Sequence, residues 1–239
     1  MELRHLGHSC VLVDTGRARL LFDPGTFSTG FESLTDLDAV LVTHQHADHV
    51  DTDRLPALLA ANPDATLVLD SGTATDLAAE LAGLDARVVS AGDQLDVAGA
   101  TVVAVGGDHA VIHPDFPIVA NVGYLVDDGA FYHPGDSLFV PEQDVDVLGL
   151  PVGAPWLKIG EAVDFQRAVH PRVSVPIHER LLSDIGVAGA HGWLGRLAPA
   201  GTTFTPFGEA GTVSSWSASR PGSRSEFRSA PDRSQLSSP

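Results

Sequence analysis

Short runs rich in Val and Leu alternate along the chain with Ala/Leu-rich segments whose apolar positions recur at helical spacing. In the first half, segments 9–15 (SCVLVDT), 18–23 (ARLLFD), 38–43 (DAVLVT), 65–70 (ATLVLD) and 86–90 (ARVVS) read as strands. In the second half, 101–107 (TVVAVGG), 118–126 (IVANVGYLV), 130–135 (AFYHPG), 145–151 (VDVLGLP), 172–178 (RVSVPIH) and 202–207 (TTFTPF) do the same. Helices are predicted over 52–62, 71–84, 160–170 and 184–197, with Ser71 or Thr73 capping the second and Gly83 stopping it.

Each half starts with hairpin-like strands and continues with strand–helix units. That order predicts an α/β protein in which two sheets pack together with helices outside. From about Val213 the composition turns to Ser, Arg and Pro, without apolar periodicity. Such a segment has too little apolar surface to offset its ordering entropy, so 1–212 is expected to fold and 213–239 to be a disordered tail.

Composition narrows the function. At 239 residues and 44% hydrophobic, the chain has the size and apolar content for one large domain or two small ones. Its net charge is −17, from 31 acidic and 14 basic residues, and Lys158 is the only lysine. A surface so acidic repels phosphate backbones, which weighs against nucleic acid as a partner. A single anionic small substrate stays open, because bound cations dominate the local field in a metal site. Cys10 is alone, the first residues carry charge where a leader would be apolar, and no apolar run reaches membrane-spanning length. Together these predict a soluble cytoplasmic protein.

The stretch VTHQHADHVD, residues 42–51, concentrates His44, His46, Asp48 and His49 behind the apolar run AVLVT. Neutral imidazole and carboxylate, with no thiolate, suit a borderline divalent cation. His44 and His46 alternate along an extended turn, while Asp48 and His49 curl into the following segment and can face a second ion. One loop rarely completes two coordination shells. Further candidates stand just past other strands: His109 after TVVAVGGD, Asp136 after AFYHPG and His178 after RVSVPI. His113 competes with His109, but Pro114 and Pro117 place it in a rim loop and make it a substrate contact or surface residue.

HQHADH matches the HxHxDH signature of the metallo-β-lactamase superfamily, and the later DH, HPGDS and VPIHE match its remaining ligands in order. HLGHSCVLV, DPGTFS and GDHAVIHPDFP make the chain most similar to small metal-dependent hydrolases related to ascorbate-6-phosphate lactonase. The resemblance covers about residues 1–212. It implies a four-layer αβ/βα sandwich, two mixed sheets flanked by helices, with the metals at one edge. It also implies two divalent ions, zinc by ligand type with manganese or iron able to replace it. His44, His46 and His109 would hold one ion; Asp48, His49 and His178 the other; Asp136 would bridge them.

His8, in GHSC, matches a position that places a histidine near the cleft in these hydrolases; a packed core histidine is the alternative. Trp156 and Lys158, in GAPWLKIG, are candidates for a pocket wall and an anion contact, or else for a packed turn and a solvated lysine. Asp23 is expected to fix a turn beneath the metals, and His133 to orient Asp136 or pack structurally. His5, His170 and His191 show no partner pattern and read as surface or helix-end residues. The expected chemistry is hydrolysis by a metal-activated hydroxide, with Asp48 orienting the nucleophile, on a lactone, ester or amide. The alternatives are a phosphodiesterase and a non-catalytic metal-binding module. A redox di-iron centre fits poorly, because His46 stands where a carboxylate is expected.

Overall fold

In the computed structural model, which describes residues 1–208 together with Ser214–Ser215, the chain builds two seven-stranded sheets. The first holds β1 (Glu2–His5), β2 (Val11–Asp14), β3 (Arg19–Phe22), β4 (Ala39–Leu41), β5 (Thr66–Asp70) and β6 (Ala86–Val89) in chain order. Helix α1 (Leu55–Ala61) joins β4 to β5, and α2 (Ser71–Asp76) follows β5. The second sheet runs from β7 (Gln94–Val97) through β8 (Ala100–Asp108), β9 (Ala120–Val126), β10 (Phe131–His133), β11 (Val147–Pro151) and β12 (Val173–Ile177) to β13 (Thr203–Phe204). Helices α3 (Ile159–Val169) and α4 (Asp184–Leu197) lie between β11 and β13 in the chain. A last pair of residues, β14 (Ser214–Ser215), adds to the free edge of β1. This pairing falls inside the segment whose composition reads as a tail; the rest of 213–239 lies outside the described residues.

Alternation within the strands explains the layering. Leu20 and Phe22 of β3 enter the cluster between the sheets, where they join Leu41, Val68, Val102, Tyr124, Phe131 and Val175. Leu21, Val40 and Leu69 sit instead with Leu55 and Leu58 of α1, in a second core on the outer face of the first sheet. Leu148 and Leu150 of β11 meet Ala162 and Phe165 of α3 and Leu194 of α4 in a third. The four-layer α/β sandwich expected from the sequence is therefore observed, and no helix among the described residues is long and apolar enough to cross a membrane.

Several local expectations shift. β1 and β7 are strands the pattern does not reveal, being four residues each with only one or two buried positions. β7 turns into β8 through Ala98 and Gly99, both at positive φ, the two-residue hairpin geometry that matches strand twist. The second helix stops at Asp76 rather than continuing to Leu84, because the next turns mix i→i−4 and i→i−3 bonds. Its cap is Asp70, whose carboxylate accepts from Gly72 and Thr73 N–H, rather than Ser71 or Thr73.

Buried Asn62 ties the end of α1 to the loop ahead of β4: Nδ2 donates to the carbonyls of Leu34 and Leu58, each at 2.9 Å. Its Oδ1 accepts from Leu37 N–H at 3.0 Å. Asn62→Ala strands those buried groups and should lower stability by about 2–4 kcal/mol. Denaturant unfolding measures the loss, and bound metal should not change, since Asn62 touches none of the candidate ligands.

Candidate metal centre

The strand directions bring every candidate ligand to one edge of the sandwich. β2 is antiparallel to β3, and β4 is parallel to it, so the start of β2 and the ends of β3 and β4 coincide. His8, Asp23 and the segment 44–49 stand there. In the second sheet β8, β10 and β12 share one direction, and His109, Asp136 and His178 follow their C-terminal ends. A crevice beyond strand carboxyl ends is where open α/β sheets place their sites.

Asp136 occupies the middle. Its carboxylate has His49 Nε2 at 3.0 Å, His178 Nε2 at 3.1 Å and His109 Nε2 at 3.3 Å. The indole of Trp156 donates to it at 2.8 Å. The other ring nitrogen of each histidine is engaged elsewhere, which fixes the rings. His49 Nδ1 lies 2.7 Å from Asp23 Oδ2, His178 Nδ1 donates to Gly153 O at 2.7 Å, and His109 Nδ1 donates to Ala110 O at 2.5 Å. Thr43 Oγ1 sits 3.0 Å from His44 Nδ1. All four Nε2 atoms are thereby left for the centre.

Two groups of donors result. His44, His46, His109 and Asp136 form one; His8, Asp48, His49 and His178 form the other, with the ligand atoms of each group within 4.8 Å of one another. His44 Nε2 and His46 Nδ1 are 3.0 Å apart, closing the first group. His49 Nε2, His109 Nε2 and Asp136 Oδ1 are buried, and the histidine–carboxylate contacts at 3.0 and 3.3 Å are not aligned as hydrogen bonds. Convergent, buried imidazole and carboxylate atoms that lack aligned hydrogen bonds fit divalent cations, and seven of the residues in these groups are those the sequence assigned to metal.

Charge follows the same geometry. Burial opposes the His49 charge, but the carboxylates of Asp136 and Asp23 on either side raise its pKa well above the usual imidazole range. His178 is likewise raised against burial by Asp136. For Asp136, burial favours the neutral acid, yet the charges of His49 and His178 hold it well below the ordinary carboxylate value. Burial also works against Asp48, and the hydrogen bond from His8 with the His49 charge lowers it. His44, desolvated and beside His49, moves well down.

The backbone bends to make this possible. His8, Asp23 and His178 hold positive φ values of 55, 45 and 62°. Gly135, at φ 62°, precedes Asp136, and a Cβ there would lie 2.3 Å from Asn121 Oδ1 and 2.7 Å from Thr43 Cβ. Asn121 then accepts from Asp136 N–H at 3.0 Å and donates to Pro134 O. A Cβ on Gly25 would fall 1.9 Å from the Asp48 carbonyl oxygen, so only glycine lets the DPG turn pass beneath the ligand loop.

The remaining predicted residues fall in different places. His8 is fully buried and bonds Asp48 Oδ2 through Nε2 at 2.9 Å, so it belongs to the ligand cluster rather than to a substrate surface. Trp156 is a donor to Asp136 rather than a simple wall. His113 points to solvent beside Asp115, and Lys158 pairs with Glu161 at the start of α3; neither joins the cluster. Asp23 does more than hold a turn: it accepts from Thr43 N–H and Oγ1, each at 2.8 Å, while bracing His49. His133 donates to Ser9 O and accepts from Gly135 N–H, which steadies the turn ahead of Asp136. His5, expected at the surface, is half-buried and donates to His8 O at 2.8 Å. Thr43, Asn121 and Glu179, which accepts from His8 N–H, escaped the sequence reading. Asn121 alone left a signal, as the only strongly polar side chain in IVANVGYLV.

Two outcomes test this arrangement. His109→Ala should remove or weaken one metal site, whereas His113→Ala should leave metal content unchanged, as read by elemental analysis after reconstitution. The flanking carboxylates of Asp136 and Asp23 raise the proton affinity of His49, and Asp136 raises that of His178, so protons compete with a metal ion for these nitrogens. Metal uptake at pH 7 should therefore release protons, and affinity should fall as pH is lowered. Calorimetric titrations in buffers of different ionisation enthalpy read that release as a buffer-dependent heat.

Residues 2–178 match the model of the β-lactamase superfamily domain. The chain is 54% identical over 187 residues to protein Rv0786c of Mycobacterium tuberculosis, covering 77% of this chain and 86% of that protein. It is 26% identical over 197 residues to the UPF0173 metal-dependent hydrolase PYRAB05000 of Pyrococcus abyssi, covering 74% and 84%. The fold also superposes on Igni18, a metallo hydrolase from Ignicoccus hospitalis, with a TM-score of 0.67 at 20% identity over 90% and 99% of the two chains. With its family match and its ligand order in agreement, the chain belongs to the metallo-β-lactamase superfamily.

Proposed function

We propose that this protein is a metal-dependent hydrolase that opens a lactone, ester or amide of a small molecule, using two divalent ions, zinc by ligand chemistry. The observation that carries the reading is the convergence of His49, His109 and His178 on the buried Asp136 carboxylate. His44, His46 and His109 would hold one ion, and Asp48, His49 and His178 the other. The Asp136 carboxylate between them offsets their repulsion. When bound, the ions would supply Lewis acidity and a hydroxide near neutral pH. Asp48, whose side chain is 20% exposed and whose Oδ2 is held by His8, would orient the attacking hydroxide and pass the proton of the added hydroxyl to the leaving oxygen or nitrogen. Trp156 and Asn121 keep Asp136 from turning away. No lysine or arginine lines the depression beside His46 and His109, so a phosphodiester would depend on the ions alone for its counter-charge, whereas a neutral carbonyl substrate would not, which supports the carbonyl reading.

Metal-replete protein should hydrolyse members of a panel of lactones, carboxylic esters and amides, lose that activity to a chelator and regain it with metal. Asp48→Asn should lower kcat by roughly 10²–10⁴-fold. Turnover confined to phosphodiesters would replace the carbonyl reading, and two bound ions with no turnover would make the chain a metal-binding module.

A further inference from the structure

The loop from Ala110 to Val119, between β8 and β9, shows apolar side chains to solvent where a buried ligand shell ends. Val111, Ile112, Phe116 and Ile118 are 52, 41, 54 and 56% exposed. They are four of the twelve large hydrophobic residues exposed among the described residues, gathered in one ten-residue loop. A single exposed leucine needs no explanation, but a contiguous apolar patch does. These four line one depression together with His46 and His109, both metal-ligand candidates.

The loop is held at its base. His109 N–H donates to Val119 O at 3.0 Å, and Ala110 N–H donates to Asp136 O at 2.8 Å. A turn from His113 O to Phe116 N–H folds the tip, with Pro114 and Pro117 stiffening it. Across the centre, Phe27 is 41% exposed and meets the His8 ring edge-on at 5.2 Å, so a second flank is apolar too. The only ionisable side chains in the depression are His46 and His109, which leaves a charged substituent without a counter-charge on this wall.

We infer that this loop binds the apolar acyl chain of the substrate, with the scissile carbonyl presented to the ligand cluster at the loop's foot. The inference rests on the proposed carbonyl hydrolysis and narrows its substrates to esters, lactones or amides bearing an aliphatic chain of several carbons. Each methylene buried against such a wall should strengthen binding about two- to fourfold, until the chain outruns the loop.

The full, metal-loaded chain would be assayed with p-nitrophenyl esters from acetate to decanoate, and octanoate and acetate binding measured by calorimetry. Expected are a kcat/KM that climbs about two- to fourfold per methylene before levelling, and octanoate binding tighter than acetate. Doubly substituted F116S/I118S should flatten both trends, whereas I185S, at an 85% exposed position on α4, should preserve them. Bound metal, measured on every variant, separates loss of the rim from loss of the centre. Hydrolysis of acetate and longer esters at equal efficiency would overturn the acyl-chain assignment while leaving carbonyl hydrolysis standing. Chain-length-dependent octanoate binding without hydrolysis of any ester would support the rim and remove the reading beneath it. Rim-dependent binding to phosphatidylcholine vesicles, with no preference for octanoate over acetate, would overturn the inference in favour of a membrane contact.

Discussion

The carboxylate of Asp136 sets the terms for the rest of the site. It is 3% exposed, and a buried anion is tolerated only when charges and donors surround it. Three imidazoles and an indole do so here. They come from β4's loop, the end of β8, the end of β12 and the loop ahead of α3, so one functional group draws on both sheets. The sandwich is arranged to let this happen: its two sheets put the relevant strand ends along a common edge.

Holding that carboxylate in place takes a chain of neighbours that are themselves buried. Gly135 gives the turn its left-handed step; Asn121 accepts the Asp136 N–H; His133 supports the same turn from the Ser9 carbonyl. On the other side Asp23 braces His49 and Thr43 together. Replacing one of these changes the direction of a ligand without touching an ion, which is why the outer contacts of a metal site matter nearly as much as the ligands.

Much of this was legible in the sequence because metal ligands cluster at strand ends and strand ends have a pattern. The order His44, His46, Asp48, His49, His109, Asp136, His178 could be read in full, since each follows an apolar run. The Asp184–Leu197 helix, too, falls where its periodicity puts it. What stayed hidden depends on pairing at a distance. β1 and β7 gain their strand character from neighbours in the sheet rather than from their own four residues. His8 lies 40 residues from Asp48, and no spacing rule announces that bond. Lys158, expected from GAPWLKIG to meet a substrate anion or to be solvated, is exposed and bonds Glu161, one turn along its own helix.

The cost of the site also explains where the fold is strong. His8, Asp23 and His178 occupy left-handed backbone at roughly 1–2 kcal/mol each. These liabilities share one edge of the molecule. The three cores lie on either side of each sheet, with Phe22, Tyr124, Phe131 and Leu194 at or near zero exposure. Strain of this kind persists only where the surroundings over-determine it. A cation bound to the folded site alone would add its binding free energy to stability. The residues that carry this strain would then tie the two sheets together through the ion.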